Sequence, residues 1–232
     1  MSLFGKDDSV KVTQPTSDKT LKQQARVASD YWAKLKNING ITEVKPFSFI
    51  YEIRNNLSGV FCDSVIEAFE SSKTLQEPGK TVTGVNLNMK RSLDIVLNDD
   101  ALNNSTWRAI DKELIKNIKK AAKKLWELFP QFYRISLGLE CFQIQKTYPN
   151  VLGFNWHVDG GLGAAPNREW AIIWYLNDID EGGTTNFLHY DVQVRPERGK
   201  LVLFPCSWMH LHNAGPPIGQ HKYIITSMFI RD

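Results

Sequence analysis

The chain has 232 residues, 42% of them hydrophobic and 23% charged, with 15 Gly, 10 Pro and 3 Cys. This is the composition of an ordinary soluble globular protein, and no apolar run approaches the roughly 20 residues needed to cross a bilayer. The net charge of +3 is too small to mark a nucleic-acid binder. Cys62, Cys141 and Cys206 are too few and too far apart for a disulfide framework or a thiolate zinc site. With early aspartates and no apolar stretch at the N-terminus, no secretory signal is expected, and a reducing cytoplasmic setting is the simplest reading.

Residues 1–20 are polar and aperiodic and read as a mobile arm ahead of one domain over 21–232. Leu21, Ala25, Val27, Ala28 and Trp32 give an imperfect helical face over 17–37. Ser58 is a suitable N-cap for a helix over 58–71 that carries Val60, Phe61, Val65, Ile66 and Phe69. The stretches 82–88 and 92–97 read as early strands of a sheet that is completed later. The strongest helix is 105–129: Trp107, Ile110, Leu114, Ile118, Ala121, Ala122 and Leu125 recur at steps of three and four, and Pro130 stops it. Its other face carries Lys112, Lys116, Lys119, Lys120, Lys123 and Lys124. An acidic partner could use that face, but an amphipathic helix needs a polar side in any case, so a solvated face is the simpler reading.

From about residue 131 the pattern changes to short strands separated by Gly, Asn, Asp and Pro: 140–148, 154–158, 169–176, 184–188, 190–194, 199–205 and 222–230. Many short strands without a βαβ rhythm argue for a sandwich or jelly roll. Trp170 to Leu176 is apolar on both faces, as a strand between two layers should be. The layout is helices first, to about 130, then a β core over about 131–232.

All five histidines lie in the β-rich half. In Asn155-Trp156-His157-Val158-Asp159, the i, i+2 spacing lets His157 and Asp159 reach one ion together. A third ligand from a distant strand would complete two His and one carboxylate with open positions, the set used in non-haem Fe(II) oxygen chemistry. Alone, His-x-Asp is a common and weak signal. Candidates for the third ligand are His189, His210, His212 and His221, and parity does not separate His210 from His212. If His212 is the ligand, the next strand brings Lys222 back to the same cavity beside Ile224 and Thr226. An inward lysine is costly unless it meets an anion, which a dicarboxylate would supply; otherwise it snorkels at the strand edge.

Taken together, these segments resemble the Fe(II)/2-oxoglutarate-dependent dioxygenases, specifically the prolyl 4-hydroxylase-like branch, over about residues 45–230. The motifs are Tyr148-Pro followed by Gly153 and His157-Val-Asp159; Tyr175-Leu-Asn followed by Gly182-Gly183-Thr184-Thr185; Pro196-Glu-Arg-Gly199; and His212, Pro216 and Lys222. The resemblance implies an α+β fold with a double-stranded β-helix (jelly roll, cupin-like) core buttressed by N-terminal helices. It assigns His157, Asp159 and His212 as catalytic metal ligands. It implies that Lys222 pairs with the distal carboxylate of 2-oxoglutarate, and that Tyr148, Tyr175 and Thr226 supply hydroxyls around that co-substrate. Fe(II), 2-oxoglutarate and O₂ are the implied cofactors, with ascorbate as an optional accessory.

The chain departs from the family at Met228, where an aromatic residue is frequent. The loop Gly160 to Pro166 lacks the Gly-Lys-Ser/Thr of a phosphate loop and reads as a lid or a plain loop. The implied reaction is hydroxylation with release of succinate and CO₂. A prolyl residue of a peptide or protein is the first substrate to expect, and a free amino acid or small metabolite the alternative. No nucleic-acid or membrane partner is expected. A non-catalytic binding module, a metal-storing cupin and a 2-oxoglutarate sensor are the competing classes, and substrate choice should lie in 72–95 and 160–168.

Overall fold

The computed structural model describes residues 22–23, 37–38, 40–81, 83–129, 132, 136–160 and 165–231. The chain divides into two compact units, Met1–Lys36 and Asn37–Asp232. In the first, only Lys22 and Gln23 are described, in helical conformation. The expected arm over 1–20 therefore lies outside the described residues, as does most of the helix expected over 17–37. All that follows concerns the second unit.

Short strands open that unit: β1 (Asn37–Ile38), β2 (Ile41–Glu43) and β3 (Tyr51–Ile53). Helix α1 (Gly59–Ser71) starts where the Ser58 side chain accepts the Phe61 N–H. Its buried row is Cys62, Val65 and Phe69, whereas Val60 is exposed. Next come β4 (Glu77–Pro78), β5 (Lys80–Thr81), β6 (Gly84–Val85), β7 (Leu93–Val96), α2 (Asp99–Leu102) and α3 (Ser105–Leu128). The Asn104 side chain caps α3 by accepting the Thr106 and Trp107 N–H groups. The seven residues of its expected apolar face are all buried.

The β-rich half supplies β8 (Leu137–Leu139), β9 (Gln143–Thr147), β10 (Phe154–His157), β11 (Arg168–Tyr175), β12 (Thr185–Phe187), β13 (Val192–Val194), β14 (Leu201–Pro205), β15 (His212–Ala214) and β16 (Lys222–Arg231). Among the described residues these strands form a major antiparallel sheet, β1-β2-β3-β14-β11-β16-β9-β7-β4 with β8 also on β16, and a minor sheet, β10-β15-β12-β13. This is the expected α+β fold, two facing antiparallel sheets with helices on one side. The first half is less purely helical than its periodicity implies, because β2 and β3 extend the major sheet through β14. The stretch 92–97 does join that sheet as β7, but 82–88 does not. Among the described residues of that stretch only Gly84 and Val85 are in a strand, in a separate hairpin with β5. Gly84 has φ +102, and Val85 and Leu87 are exposed, so the apolar side of this segment is not packed into a sheet.

Strand parity sorts the major sheet into two environments. Register pairs Trp170 with Phe229, Ile172 with Ser227 and Trp174 with Ile225 on the outer face. There Phe69 of α1 meets Tyr223 edge-on at 6.1 Å and Trp126 of α3 lies 5.5 Å from Phe229. The alternate residues Ala171, Ile173 and Tyr175 face inward and pack with Phe187, Val202 and Phe204 between the sheets. That double burial explains why Trp170 to Leu176 is apolar throughout. Because Leu114 is fully buried and Lys119 exposed on the same helix, Leu114→Ala is expected to cost about 2–5 kcal/mol in urea denaturation. Lys119→Ala should stay within about 0.5 kcal/mol.

Candidate metal centre and cavity

The centre is set by the pairing of β10 with β15, which places His157 directly opposite His212. Between the pairs Phe154–Ala214 and His157–His212 the first strand advances three residues and the second two, so β10 carries a bulge. Without that extra residue, His157 and Phe154 would point to opposite faces. With it they share one, and the Phe154 ring stacks on the imidazole with centroids 3.5 Å apart. The two imidazoles are 4.2 Å apart, with Phe204 edge-on to His212 at 4.8 Å.

Asp159, just past the end of β10, completes the group. Its Oδ1 lies 3.5 Å from His157 Nε2 and its Oδ2 3.6 Å from His212 Nε2. Among the described residues these three offer ligand atoms all within 4.8 Å of one another. Each imidazole is oriented from behind: His157 Nδ1 contacts Asn155 O at 2.7 Å, and His212 Nδ1 contacts His210 O at 2.9 Å. A carbonyl can only accept, so the proton of each neutral ring sits on Nδ1 and the Nε2 lone pair faces the carboxylate. Burial opposes ionisation of Asp159, but the positive charge of His212 and His157 in their protonated forms, a hydrogen bond from His157, and Arg168 outweigh it and hold the carboxyl well below its usual range. Burial drives His212 down to about 4 against the pull of Asp159, so the ring is neutral near pH 7. Two imidazole nitrogens and one carboxylate make a donor set suited to a divalent ion.

Arg168 anchors the carboxylate's backbone. Its Nη1 donates to Asp159 O at 3.1 Å, and its other nitrogens pair with Glu140 at 2.7 and 2.8 Å. A Cβ on Gly160 would lie 2.7 Å from Arg168 Cβ, so the close approach of this loop to β11 needs glycine. Of the loop Gly160 to Pro166, read as a lid or a plain loop, residues 161–164 lie outside the described residues.

The triad opens into a cavity of about 480 Å³ between the sheets, lined also by Thr147, Thr185, Ile224, Thr226 and Met228. Thr226 is therefore in the wall, where its hydroxyl accepts from Gln145 Nε2 at 3.0 Å. Lys222 extends the inward row of Ile224, Thr226 and Met228, is buried, and donates to Gly183 O at 2.8 Å. Tyr175 is buried behind the wall, its hydroxyl 2.7 Å from that of Thr185.

Tyr148 is a correction. It is 44% exposed, packs against His221 with ring centroids 5.3 Å apart, and does not line the cavity. The alternation of β9 is the reason: Gln143, Gln145 and Thr147 point inward, which turns Tyr148 away. His210 is a satisfied buried histidine, bonded to Ser207 Oγ and Ser48 O at 2.9 Å each. Sequence reasoning missed Lys90, Glu140, Gln143, Gln145, Thr147 and Arg168, which all line the cavity. Only the polar alternation of β9 hinted at any of them, and such alternation ordinarily marks a solvent face.

Residues 142–230 match the 2OG-Fe(II) oxygenase superfamily. No curated protein sequence matches the chain. Among solved structures, a viral collagen prolyl hydroxylase from Paramecium bursaria Chlorella virus 1, in complex with 2OG, is similar with TM-score 0.59 at 18% identity, covering 82% of this chain and 100% of that one. A prolyl-4-hydroxylase from Pseudomonas putida gives 0.60 at 14% identity over 80% and 94% of the two chains. A prolyl hydroxylase from Trichoplax adhaerens, in complex with a hypoxia inducible factor oxygen degradation domain peptide fragment, gives 0.60 at 15% identity over 94% of both. Residues 142–230 thus carry a segment of the 2OG-Fe(II) oxygenase type, and the fold has the double-stranded β-helix core of the prolyl hydroxylase structures it is similar to. That family implies Fe(II), 2-oxoglutarate and O₂.

Burial alone lowers the Lys222 amine from 10.5 to about 8. The unfolded chain then holds this proton up to pH 10.5 while the folded protein releases it near pH 8, so the burial penalty is full below pH 8 and fades as pH rises. The stability advantage of Lys222→Met over wild type should therefore shrink by up to about 3 kcal/mol between pH 8 and 10.5 in ligand-free protein. Chemical denaturation at stepped pH measures it.

Proposed function

We propose that the chain hydroxylates a prolyl residue of a peptide or protein, with His157, Asp159 and His212 holding Fe(II) and Lys222 holding the distal carboxylate of 2-oxoglutarate. The observation that carries this reading is the convergence of the two Nε2 lone pairs and the Asp159 carboxylate on one wall of a cavity whose inward row leads to a buried lysine without a carboxylate partner among the described residues. Bound Fe(II) with 2-oxoglutarate would supply the O₂-dependent oxygen transfer of the family, with release of succinate and CO₂.

The chain's own residues have distinct tasks. Asp159 provides the charge that balances the cation, and the backbone carbonyls of Asn155 and His210 keep both rings turned toward it. Lys222 gives a charge-assisted contact to a carboxylate, and the hydroxyls of Thr226 and Thr185 offer hydrogen bonds beside it, the latter backed by Tyr175. Phe154 and Phe204 keep the histidines in apolar surroundings that limit water. The similar fold of a prolyl hydroxylase in complex with a peptide fragment supports a peptide substrate.

The test is Fe(II)-dependent succinate release from 2-oxoglutarate, with ascorbate present, against short proline peptides, free amino acids and small metabolites. A proline peptide should stimulate turnover and gain one oxygen by mass. Asp159→Ala should abolish turnover. Full activity in that variant would sink the ligand assignment, and stimulation by free amino acids alone would replace the prolyl reading. Binding without any succinate would make the chain a sensor.

A further inference from the structure

Lys222 and Lys90 are both buried, and their charges are balanced differently. Lys222, 1% exposed, bonds only a carbonyl, Gly183 O, among the described residues. Lys90, 2% exposed, is already neutralised: its Nζ donates to Asp94 Oδ2 at 2.6 Å and to Gln143 Oε1 at 3.2 Å. An ammonium has three N–H donors, so one is left, and Lys90 and Gln143 both line the cavity.

The arrangement is tightly built. On the far side, a Cβ on Gly79 would collide with Ser92 Oγ and come within 2.9 Å of Lys90 Cε, so bare backbone seals the pair. Along the chain, Arg91 N–H bonds Gly153 O at 2.9 Å and Asn155 N–H bonds Met89 O at 2.7 Å, which lays the segment around Lys90 beside β10. Phe154, whose ring lies 5.7 Å from Lys90 Nζ, separates it from His157. The Gln143 amide has only one workable orientation. Lys90 and Gln145 both donate to its oxygen, at 3.2 and 2.7 Å, and this leaves its NH₂ as a donor.

The wall therefore presents two donors with no net charge. A carboxylate taken out of water needs an uncompensated cation, which Lys222 offers and Lys90 does not. A neutral carbonyl oxygen needs only donors. We propose that Lys90 and Gln143 form a recognition subsite for an uncharged carbonyl of the primary substrate, the backbone carbonyl of a peptide, and so select peptide over free amino acid. This deepens the prolyl reading above and rests on it.

The experiment compares free proline with short peptides, acetylated and amidated at their ends, each carrying a single proline. Wild type, Lys90→Met and Lys90→Met/Asp94→Leu are assayed for coupled turnover, with thermal unfolding to verify folding. Lys90→Met strands Asp94 unpaired in the interior and can fail to fold, whereas the double variant removes both charges together. We expect wild type to prefer the capped peptides. The folded double variant should raise the KM for them about 10- to 100-fold, the loss of a hydrogen bond from a charged donor. Its KM for 2-oxoglutarate should stay within about threefold, the split that separates lost substrate contact from general damage. An unchanged peptide KM in that variant, or a wild-type preference for free proline, overturns the subsite. If neither probe stimulates the wild type, the prolyl reading itself falls and takes the subsite with it.

Discussion

The opposition of His157 and His212 across β10 and β15 is the constraint on which the site depends. A strand shows one residue in two to a given face, so a one-residue slip would send one imidazole to solvent and leave Asp159 with a single partner. The bulge after Phe154 is what makes the opposition compatible with a ring stacked on His157. It also explains why segment 89–91 matters although it contributes no ligand. Its hydrogen bonds to Gly153 and Asn155 hold the bulged strand from its free edge, where an unpaired strand would otherwise be free to slip.

The same parity rule gives β16 two tasks. Its outer row, Tyr223, Ile225 and Phe229, binds the helices to the sheet; its inner row, Lys222, Ile224, Thr226 and Met228, lines or backs the cavity. Binding chemistry thus sits on the strand that is most firmly held, between β11 and β9 with a helix layer behind. A side chain such as Lys222 can be kept in a costly buried position only where its backbone has nowhere to relax.

How much of this was legible in the sequence depended on whether the signal was local. The apolar face of α3 and the two-sided burial of Trp170 to Leu176 follow from periodicity alone, and the structure has both. His157 and Asp159 were reachable from their spacing and His212 only through the motif order of the resemblance, and the structure brings their ligand atoms together. Tyr148 failed for a reason the same rule supplies: the motif resemblance placed it by position in the chain, but the inward parity of β9 belongs to Thr147. The segment 82–88 failed because apolar residues at Val85 and Leu87 imitate alternation without a sheet edge to join. The Lys90, Asp94 and Gln143 contacts could not be read at all. Lys90 and Asp94 are four apart in a stretch that is not helical, and Gln143 arrives from a strand fifty-three residues later. No periodicity encodes that meeting.

The polar interior has an energetic consequence for the division of the molecule. Burying Lys90 with Asp94, Lys222, and the row Gln143, Gln145 and Thr226 takes groups out of water that return little net stability even when paired. That cost falls on the inner face of the sheet on the β9 and β7 side. The offset lies on the opposite face, where Trp107, Leu114, Ile118 and Leu125 of α3 and Phe69 of α1 are buried. Aromatic contacts of Trp170 with Phe129 at 5.5 Å and of Trp174 with Phe142 at 5.9 Å extend that layer. The helices therefore do more than shield a hydrophobic sheet surface. They supply the stabilisation that lets the other surface remain polar enough to bind, and this is why the long helix can be fully amphipathic yet contribute no residue to the cavity it supports.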